Sequence, residues 1–189
     1  PDVTLRYAAT PRDLDGADVV ILPGSKTTIA DFSYLQRKDF TWALKEHVRR
    51  GGELIGICGN YQMLGKAISD PREVETGGHT EGLGLLDVAT VLGPHKRTEQ
   101  VEALPLQMES AGNAKVRGYE IHMGSTRRTS AQPCFHVLHD GGTNTSKEAL
   151  PETETVEGAM SDDGRIWGTY IHGVFDDPDF RRHWINRVR

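Results

Sequence analysis

Two short apolar runs, each leading into a tight turn, are the clearest pattern in the first third of the chain. Residues 17–22 end at Pro23-Gly24, and residues 53–57 end at Cys58-Gly59. Continuous apolar runs of this length are typical of buried strands. Stretches with apolar positions three and four apart follow these runs and predict helices. The predicted helices extend from Thr27 or Thr28 to Leu35, from Asp39 to Gly51, and over residues 59–68.

Strands and helices that alternate at this spacing predict an α/β fold with a parallel sheet and helices packed on it. In the second half of the chain the pattern changes, and strands are separated by turns. Further strands are predicted over residues 3–8, 83–92, 101–108, 116–123, 134–138, 157–160 and 165–172. Asp162-Asp163-Gly164 predicts a hairpin turn, residues 139–155 predict an exposed loop, and residues 179–189 predict a last helix. Because no repeat or boundary is evident, we expect residues 1–189 to form one domain.

The composition restricts the class of protein. The 189 residues are 37% hydrophobic and 26% charged, which is typical of a globular chain that forms one core. The formal net charge is −5 and no long apolar run is present, so neither a nucleic-acid nor a membrane partner is expected. The two cysteines do not form a disulfide framework, which favours a reducing, cytoplasmic setting. The start at Pro1 indicates a piece of a longer polypeptide, with removal of an initiator methionine as the alternative.

Cys58 stands where an apolar strand turns into a helix, between the small residues Gly56 and Gly59. This is the pattern of a nucleophile elbow, a sharp turn that holds a reactive side chain clear of the sheet. The N-terminal N–H groups of the following helix would point at the sulfur and favour the thiolate. The pattern therefore predicts an enzyme with a cysteine nucleophile.

A thiolate nucleophile needs an acid–base partner, and His172 is the best candidate among the eight histidines. It ends a predicted apolar strand, and parallel sheets collect functional groups at the carboxyl ends of their strands. The alternative is a histidine that only closes a strand. His122 is a second candidate, because strand alternation places it on one face with Glu120. These two residues could orient a catalytic group or contact substrate, or they could be solvent-facing polar residues. The histidines do not form a cluster with cysteines or carboxylates, so no metal site is predicted.

Two tight turns could supply the N–H groups of an oxyanion hole. Gly59 directly follows the nucleophile, so its N–H is the natural donor. Gly24 follows the first buried strand, and a residue without a side chain lets the backbone approach a ligand, although a plain turn is the alternative. Gln62 lies one helical turn beyond Cys58, so its amide could reach a bound substrate. A helix-surface glutamine would have the same spacing.

Sequence motifs in a fixed order resemble those of the class I (triad) glutamine amidotransferases, and in particular the glutaminase domain of the cobyric acid synthase family. Residues 56–62, Gly-Ile-Cys-Gly-Asn-Tyr-Gln, resemble the signature Gly-x-Cys-x-Gly-x-Gln except at Asn60. Further similar motifs are Leu-Pro-Gly-Ser-Lys-Thr-Thr at 22–28, Tyr-Gln-Met-Leu-Gly at 61–65, Glu-Gly-Leu-Gly-Leu-Leu at 81–86, Gly-Tyr-Glu-Ile-His-Met-Gly at 118–124 and Gly-Thr-Tyr-Ile-His-Gly-Val-Phe at 168–175.

The resemblance implies a flavodoxin-like fold, mostly parallel with helices on both faces, and hydrolysis of glutamine through a cysteine thioester. Cys58 would be the nucleophile and His172 its acid–base partner. Gly24 and Gly59 would form the oxyanion turns, and Gln62 would contact glutamine. In this family an ATP- and Mg²⁺-dependent synthetase domain precedes the glutaminase domain and uses the ammonia to amidate a corrinoid, adenosylcobyrinic acid a,c-diamide, in cobalamin biosynthesis. The glutaminase step itself would need no metal or organic cofactor.

The chain departs from the motif pattern in three ways. Asn60 stands where the elbow usually has glycine, and its bulk would shift the helix against the strand. Val174 stands where many class I members have a glutamate that orients the histidine, so Glu120 or Asp176 would have to replace it. The chain begins at what resembles the family's second strand, so the first strand–helix unit is expected to be missing. A thiol hydrolase of peptides or esters, and a non-catalytic remnant that binds a synthetase partner, are the alternative functions.

Overall fold

A computed structural model describes residues 3–106, 114–138 and 156–188 of the chain. The loop predicted at residues 139–155 lies outside this part, as do residues 107 and 108 of a predicted strand and residue 189 of the last helix. None of the described helices combines the length and hydrophobicity that a membrane crossing requires.

The helices and strands that the structure describes are as follows. The helices are a 3-10 helix Pro11–Leu14 and the α-helices α1 (Thr28–Arg37), α2 (Phe40–Arg49), α3 (Gly59–Leu64) and α4 (Pro178–Val188). The strands are β1 (Val19–Leu22), β2 (Glu53–Ile57), β3 (Ala67–Asp70), β4 (Gly78–Glu81), β5 (Val88–Pro105), β6 (Val116–Arg128), β7 (Phe135–Leu138), β8 (Val156–Glu157), β9 (Ala159–Met160), β10 (Ile166–Thr169) and β11 (Ile171–His172).

Strands β1, β2 and β10 run parallel in a four-stranded sheet with the order β1-β2-β10-β9. Strand β9 pairs antiparallel with β10 across the predicted hairpin turn. Leu22 lies level with Gly56, and Ile57 lies level with Thr169, so the parallel strands end at one edge. The turn after β1, the elbow after β2 and the segment after β10 therefore meet at this edge.

Helices cover both faces of this sheet. Leu54 of β2 packs in one core with Phe32 of α1 and Leu44 of α2. Ile55, the next residue, packs in a second core with Phe180 of α4. Successive strand residues point to opposite faces, so both faces of β2 are buried. The predicted α/β fold, a parallel sheet with helices on both faces, is confirmed.

A buried carboxylate fastens α4 to the sheet. Glu53 is 5% exposed, and its Oε1 accepts the indole N–H groups of Trp167 and Trp184, both at 2.8 Å. Arg187 Nη2 lies 2.6 Å from both carboxylate oxygens. Because a buried charge is stable only when it is paired, these three donors make Glu53 the anchor of the last helix.

The second sheet is largely antiparallel and is built on the long β5–β6 ribbon. At one end of β5, β3 pairs with it in parallel, and β4 pairs antiparallel with β3. At the other end of β5, β7 pairs with it antiparallel, and β8 pairs with β7. On its other edge β6 pairs with β11, where His172 lies opposite Tyr119. Since only Tyr170 separates β10 from β11, the ribbon lies against the edge at which the parallel strands end.

Two predictions in the first half of the chain are wrong. Residues 3–8 form no strand, and their side chains are exposed. The helix predicted over residues 59–68 ends at Leu64, because Gly65 takes an extended backbone with φ −71° and ψ −176°. Residues 67–70 form β3 instead, in which Ile68 and Asp70 are buried and their neighbours are not.

The bounds of the predicted strand at residues 83–92 are also wrong. Its first residues are irregular, because the N–H groups of Leu83 and Leu85 donate to carbonyls of α3 rather than to a neighbouring strand. Strand β5 begins at Val88 and continues to Pro105, joining two predicted strands into one. Its register with β6 shifts between Val91 and Lys96, a stretch that contains Gly93 and Pro94.

Candidate active site

Cys58 lies in a sharp turn between β2 and α3. Its backbone has φ 55° and ψ −119°, and a positive φ is uncommon for a residue with a side chain. The Cys58 N–H donates to the Thr169 carbonyl at 2.8 Å, which ties the turn to the end of β10. Gly56 permits the close approach of α3, because a Cβ there would lie 2.6 Å from the Asn60 carbonyl oxygen. This is the geometry of a nucleophile elbow.

His172, Cys58 and Gly24 meet at the carboxyl edge of the parallel strands. A Cβ placed on Gly24 would lie 3.7 Å from Cys58 Cβ and 3.1 Å from His172 Cε1. Gly24 therefore lies between the two side chains, and a larger residue would crowd the imidazole. The structure brings together the predicted nucleophile, its predicted partner and a predicted oxyanion turn, whose catalytic roles stay predictions.

The main-chain carbonyl of Ile121 links the two side chains. The Cys58 thiol donates to this oxygen at 3.3 Å, and the same carbonyl acts to raise the pKa of His172. Ile121 belongs to β6, and its N–H donates to the Tyr170 carbonyl at 3.3 Å, which fastens β6 beside His172. The Ile121 carbonyl thus lies beside both predicted catalytic side chains, and the predicted orienting role of Glu120 or Asp176 stays a prediction.

The electrostatics of the site favour a neutral pair in this state. Burial raises the pKa of the Cys58 thiol; the Gly59 N–H opposes this rise and the Glu75 charge adds to it. Burial lowers the pKa of His172, against the effect of the Ile121 carbonyl. Desolvation thus outweighs the effect of the helix N-terminus on the thiol pKa, whereas the sequence predicted that the N-terminus would favour the thiolate. Near neutral pH, the raised pKa of the thiol and the lowered pKa of the imidazole therefore favour uncharged forms of both groups.

Gly59 brings the first turn of α3 against the segment after β1. A Cβ on Gly59 would lie 2.8 Å from Thr28 Oγ1 and 2.9 Å from the Ser25 carbonyl oxygen. The Thr28 N–H and hydroxyl in turn donate to the Glu75 carboxylate at 2.5 and 3.2 Å. Only glycine fits at position 59, so the two predicted oxyanion turns, at Gly24 and Gly59, are packed together.

Glu120 and His122 pair with each other rather than with His172. His122 Nε2 lies 3.1 Å from Glu120 Oε1, and Arg97 Nε lies 3.4 Å from Glu120 Oε2. His122 also stacks on Tyr170, with ring centroids 4.1 Å apart. The interpretation of Glu120 and His122 as solvent-facing residues is wrong, because the carboxylate is buried and both groups are engaged. Their predicted role toward substrate stays untested.

Gln62 and Asp176 lie close to the site in different ways. The Gln62 side chain is buried, and its Nε2 donates to the Tyr170 hydroxyl at 3.1 Å. It is therefore not a helix-surface glutamine, because its amide is buried and hydrogen-bonds to Tyr170. The Asp176 carboxylate lies over Gly173, 2.9 Å from the position a Cβ would take there. The predicted contact of Gln62 with glutamine stays a prediction.

Asn60 is accommodated without loss of the elbow geometry. Its side chain is 7% exposed, and Nδ2 donates to the carbonyl oxygen of Pro23. The extra bulk relative to glycine therefore fills a space between α3 and the turn after β1. The bulk of Asn60 is evident from the sequence, whereas its hydrogen bond depends on how the fold places Pro23.

Glu157 is a buried acid that sequence analysis missed. Its Oε2 accepts the Thr169 hydroxyl at 2.5 Å and its Oε1 accepts the Tyr170 N–H at 2.6 Å. Burial raises the pKa of Glu157 to about 7. The available signal was a glutamate placed next to Gly158 in an otherwise apolar hairpin strand. The residues described contain no group of three or more His, Cys, Asp or Glu side chains that could hold a metal ion.

Two solved structures share this fold with the chain. One, described as a glutamine amidotransferase, has a TM-score of 0.65 at 12% identity and covers 98% of this chain and 86% of its own. The PurLQS structure from Thermotoga maritima has a TM-score of 0.63 at 18% identity and covers 93% of this chain and 82% of its own. At these identities the likeness shows the fold, which is that of the class I glutamine amidotransferases.

The sequence comparisons show the family. The chain belongs to the CobB/CobQ-like glutamine amidotransferase domain family, whose model matches residues 1–180. It is 43% identical over 190 residues to a cobyric acid synthase of Chloroflexus aurantiacus and 41% identical over 196 residues to one of a Thermoanaerobacter species. The match to the first covers all of this chain and 36% of that relative. The chain thus spans about a third of the length of the relatives it matches.

Proposed function

We propose that this chain hydrolyses glutamine to glutamate and ammonia, with Cys58 as the nucleophile and His172 as the acid–base group. The observation that carries the proposal is the meeting of Cys58, His172 and Gly24 at one edge of the sheet. Membership of the glutamine amidotransferase domain family supports glutamine as the substrate.

The proposed reaction begins with transfer of the Cys58 thiol proton to His172. The sulfur then attacks the side-chain carboxamide carbon of glutamine, and N–H groups at Gly24 and Gly59 stabilise the oxyanion. When the C–N bond breaks, His172 gives its proton to the nitrogen and ammonia leaves. Water, deprotonated by the same imidazole, attacks the thioester carbonyl, which releases glutamate and restores the thiol.

The ammonia would serve a second reaction in a part of the protein that lies beyond this chain or in a partner. Because the relatives are named cobyric acid synthases and the chain spans about a third of their length, we propose an ATP- and Mg²⁺-dependent synthetase as the consumer. Its acceptor would be the corrinoid adenosylcobyrinic acid a,c-diamide. Both described cysteines are unpaired, which fits a cytoplasmic location.

The proposal is tested by ammonia release from glutamine by the natural full-length polypeptide and two cysteine variants. Cys58→Ala should abolish release with the fold intact, because no other group can form the thioester. Cys134→Ala is the matched control, since Cys134 is fully buried and donates to the Gly168 carbonyl at 3.6 Å. A glutamine-analogue affinity label should modify Cys58 and leave Cys134 unmodified, as mass spectrometry would show.

The alternatives predict different outcomes. Labelling of Cys58 by peptide electrophiles but not by glutamine analogues would favour a thiol hydrolase. Absence of ammonia release by the unaltered protein, with and without ATP and the acceptor, would favour a non-catalytic remnant. Substantial ammonia release by Cys58→Ala would refute the assignment of the nucleophile.

A further inference from the structure

Asn60 connects the elbow to the turn that carries Gly24. It lies two residues after the nucleophile in α3, where the signature of related amidotransferases has glycine. Its buried Nδ2 donates to the Pro23 carbonyl oxygen across the gap between α3 and the turn after β1. A glycine at this position could not make the bond.

The bond acts on the peptide unit that contains the Gly24 N–H. The carbonyl of Pro23 and the N–H of Gly24 belong to one planar group, and no cis peptide occurs among the described residues. The two bonds point in opposite directions, so holding the oxygen also sets the direction of the N–H. Glycine tolerates many backbone angles, and without a tether this peptide could rotate easily.

The other side of Gly24 is held separately. The Ser25 hydroxyl donates to Asp31 Oδ2 at 2.6 Å and accepts the Thr27 N–H at 3.2 Å. Asn60 therefore restrains the peptide before Gly24, and Ser25 restrains the segment after it. Gly24 itself lies against both Cys58 and His172.

We infer that Asn60 is a positioning residue that fixes the Pro23–Gly24 peptide and keeps its N–H available to the oxyanion. The inference rests on the proposed glutaminase function and extends it to a residue that touches no reacting atom. Because the oxyanion charge is absent from bound glutamine and develops only during the reaction, the contribution of Asn60 falls on kcat rather than on KM.

Three substitutions in the natural full-length polypeptide test this role through ammonia release. Asn60→Ala and Asn60→Gly remove the donor and should lower kcat about 10-fold to 100-fold, which is less than the complete loss of an oxyanion donor, with KM changed less than about 2-fold. Asn60→Asp places a carboxylate against the Pro23 carbonyl and should be slower than Asn60→Ala at pH 8. At pH 5 a protonated carboxyl can donate, so kcat of Asn60→Asp relative to Asn60→Ala should rise.

Asn186, an exposed residue of α4, provides the control. Asn186→Ala and Asn186→Asp change the same side chain away from the site and should leave kcat and its pH dependence unaltered. If Asn60→Ala does not fold, the kcat of Asn60→Asp relative to that of Asn60→Gly, measured from pH 5 to pH 8, tests the positioning role in the same way.

Each outcome has a defined meaning. Unaltered protein without glutaminase activity refutes the proposed function, independently of Asn60. With an active unaltered protein, an undiminished kcat in folded Asn60→Ala and Asn60→Gly overturns the positioning role. A loss confined to KM, or a constant ratio of Asn60→Asp to Asn60→Ala from pH 5 to pH 8, overturns it as well.

Discussion

Replacing Glu157 with glutamine should change how stability depends on pH. Burial raises the pKa of Glu157 from 4.5 to about 7. The folded protein therefore holds a proton between these pH values that the unfolded chain releases. The resulting stabilisation is fully present below about pH 4.5 and is lost as the pH rises through about 7.

The size of the effect follows from the pKa difference. One pKa unit corresponds to about 1.36 kcal/mol, so the shift of Glu157 represents about 3 kcal/mol of stability lost by pH 8. Glutamine carries no such proton, and its amide can still accept the Tyr170 N–H and donate to the Thr169 hydroxyl oxygen. Between pH 5 and pH 8 the free energy of unfolding of Glu157→Gln should therefore rise relative to the unaltered protein by about 2–3 kcal/mol.

Urea unfolding at fixed ionic strength and at several pH values between 5 and 8 measures this difference. Glu81→Gln is the control, because Glu81 is an exposed glutamate of β4 and its replacement should leave the pH dependence nearly unchanged. If the stability difference between Glu157→Gln and the unaltered protein were the same at pH 5 and pH 8, the account of Glu157 as a buried, protonated acid would be refuted.

Two further predictions concern the anchor of α4 and the space at the site. Glu53→Ala should lower the free energy of unfolding by about 3–5 kcal/mol in urea, because it leaves Arg187 and two indole N–H groups without their acceptor. Glu53→Gln, which keeps an acceptor oxygen, should lose less; equal losses would argue against the hydrogen bonds as the cause. Gly24→Ala should lower kcat for ammonia release at least about 10-fold, because its Cβ would lie 3.1 Å from His172 Cε1. Gly93→Ala is the control, since its Cβ would have 3.6 Å to its nearest neighbour; equal activity of both variants would contradict the crowding.

The parallel sheet could be predicted because its two inner strands have recognisable apolar patterns in the local sequence. Residues 54–57, Leu-Ile-Gly-Ile, carry no polar side chain, which is the pattern of a strand that is buried on both faces. Residues 59–68 were harder, since a short apolar run is compatible with a helix or a strand. Where the chain leaves the helix at Gly65, the Lys66 N–H donates to the Val88 carbonyl, a partner 22 residues further along the chain that local sequence does not indicate.

The same limit applies to the candidate site. Cys58 and His172 could be proposed together because the sequence predicts one strand over residues 165–172 that ends at the same sheet edge as β2. The bounds of that strand are wrong, since the parallel strand β10 ends at Thr169 and His172 lies in β11, which pairs antiparallel with β6. Gln62 and Glu157 are buried, and their hydrogen bonds to Tyr170 and Thr169 join segments that are distant along the chain. Their burial therefore depends on how these segments pair. Spacing along the chain contains no information on such pairings.

The shared acceptor at position 121 has a consequence for comparative work. A peptide oxygen is chemically the same whichever amino acid carries it, so neither alignments nor alanine scans register its contribution. Natural selection must preserve the path of β6 there, because this path places the Ile121 carbonyl oxygen beside the Cys58 sulfur and the His172 ring. A substitution of Ile121 therefore leaves this acceptor in place, and only a change in the path of β6 would move it away from the Cys58 sulfur.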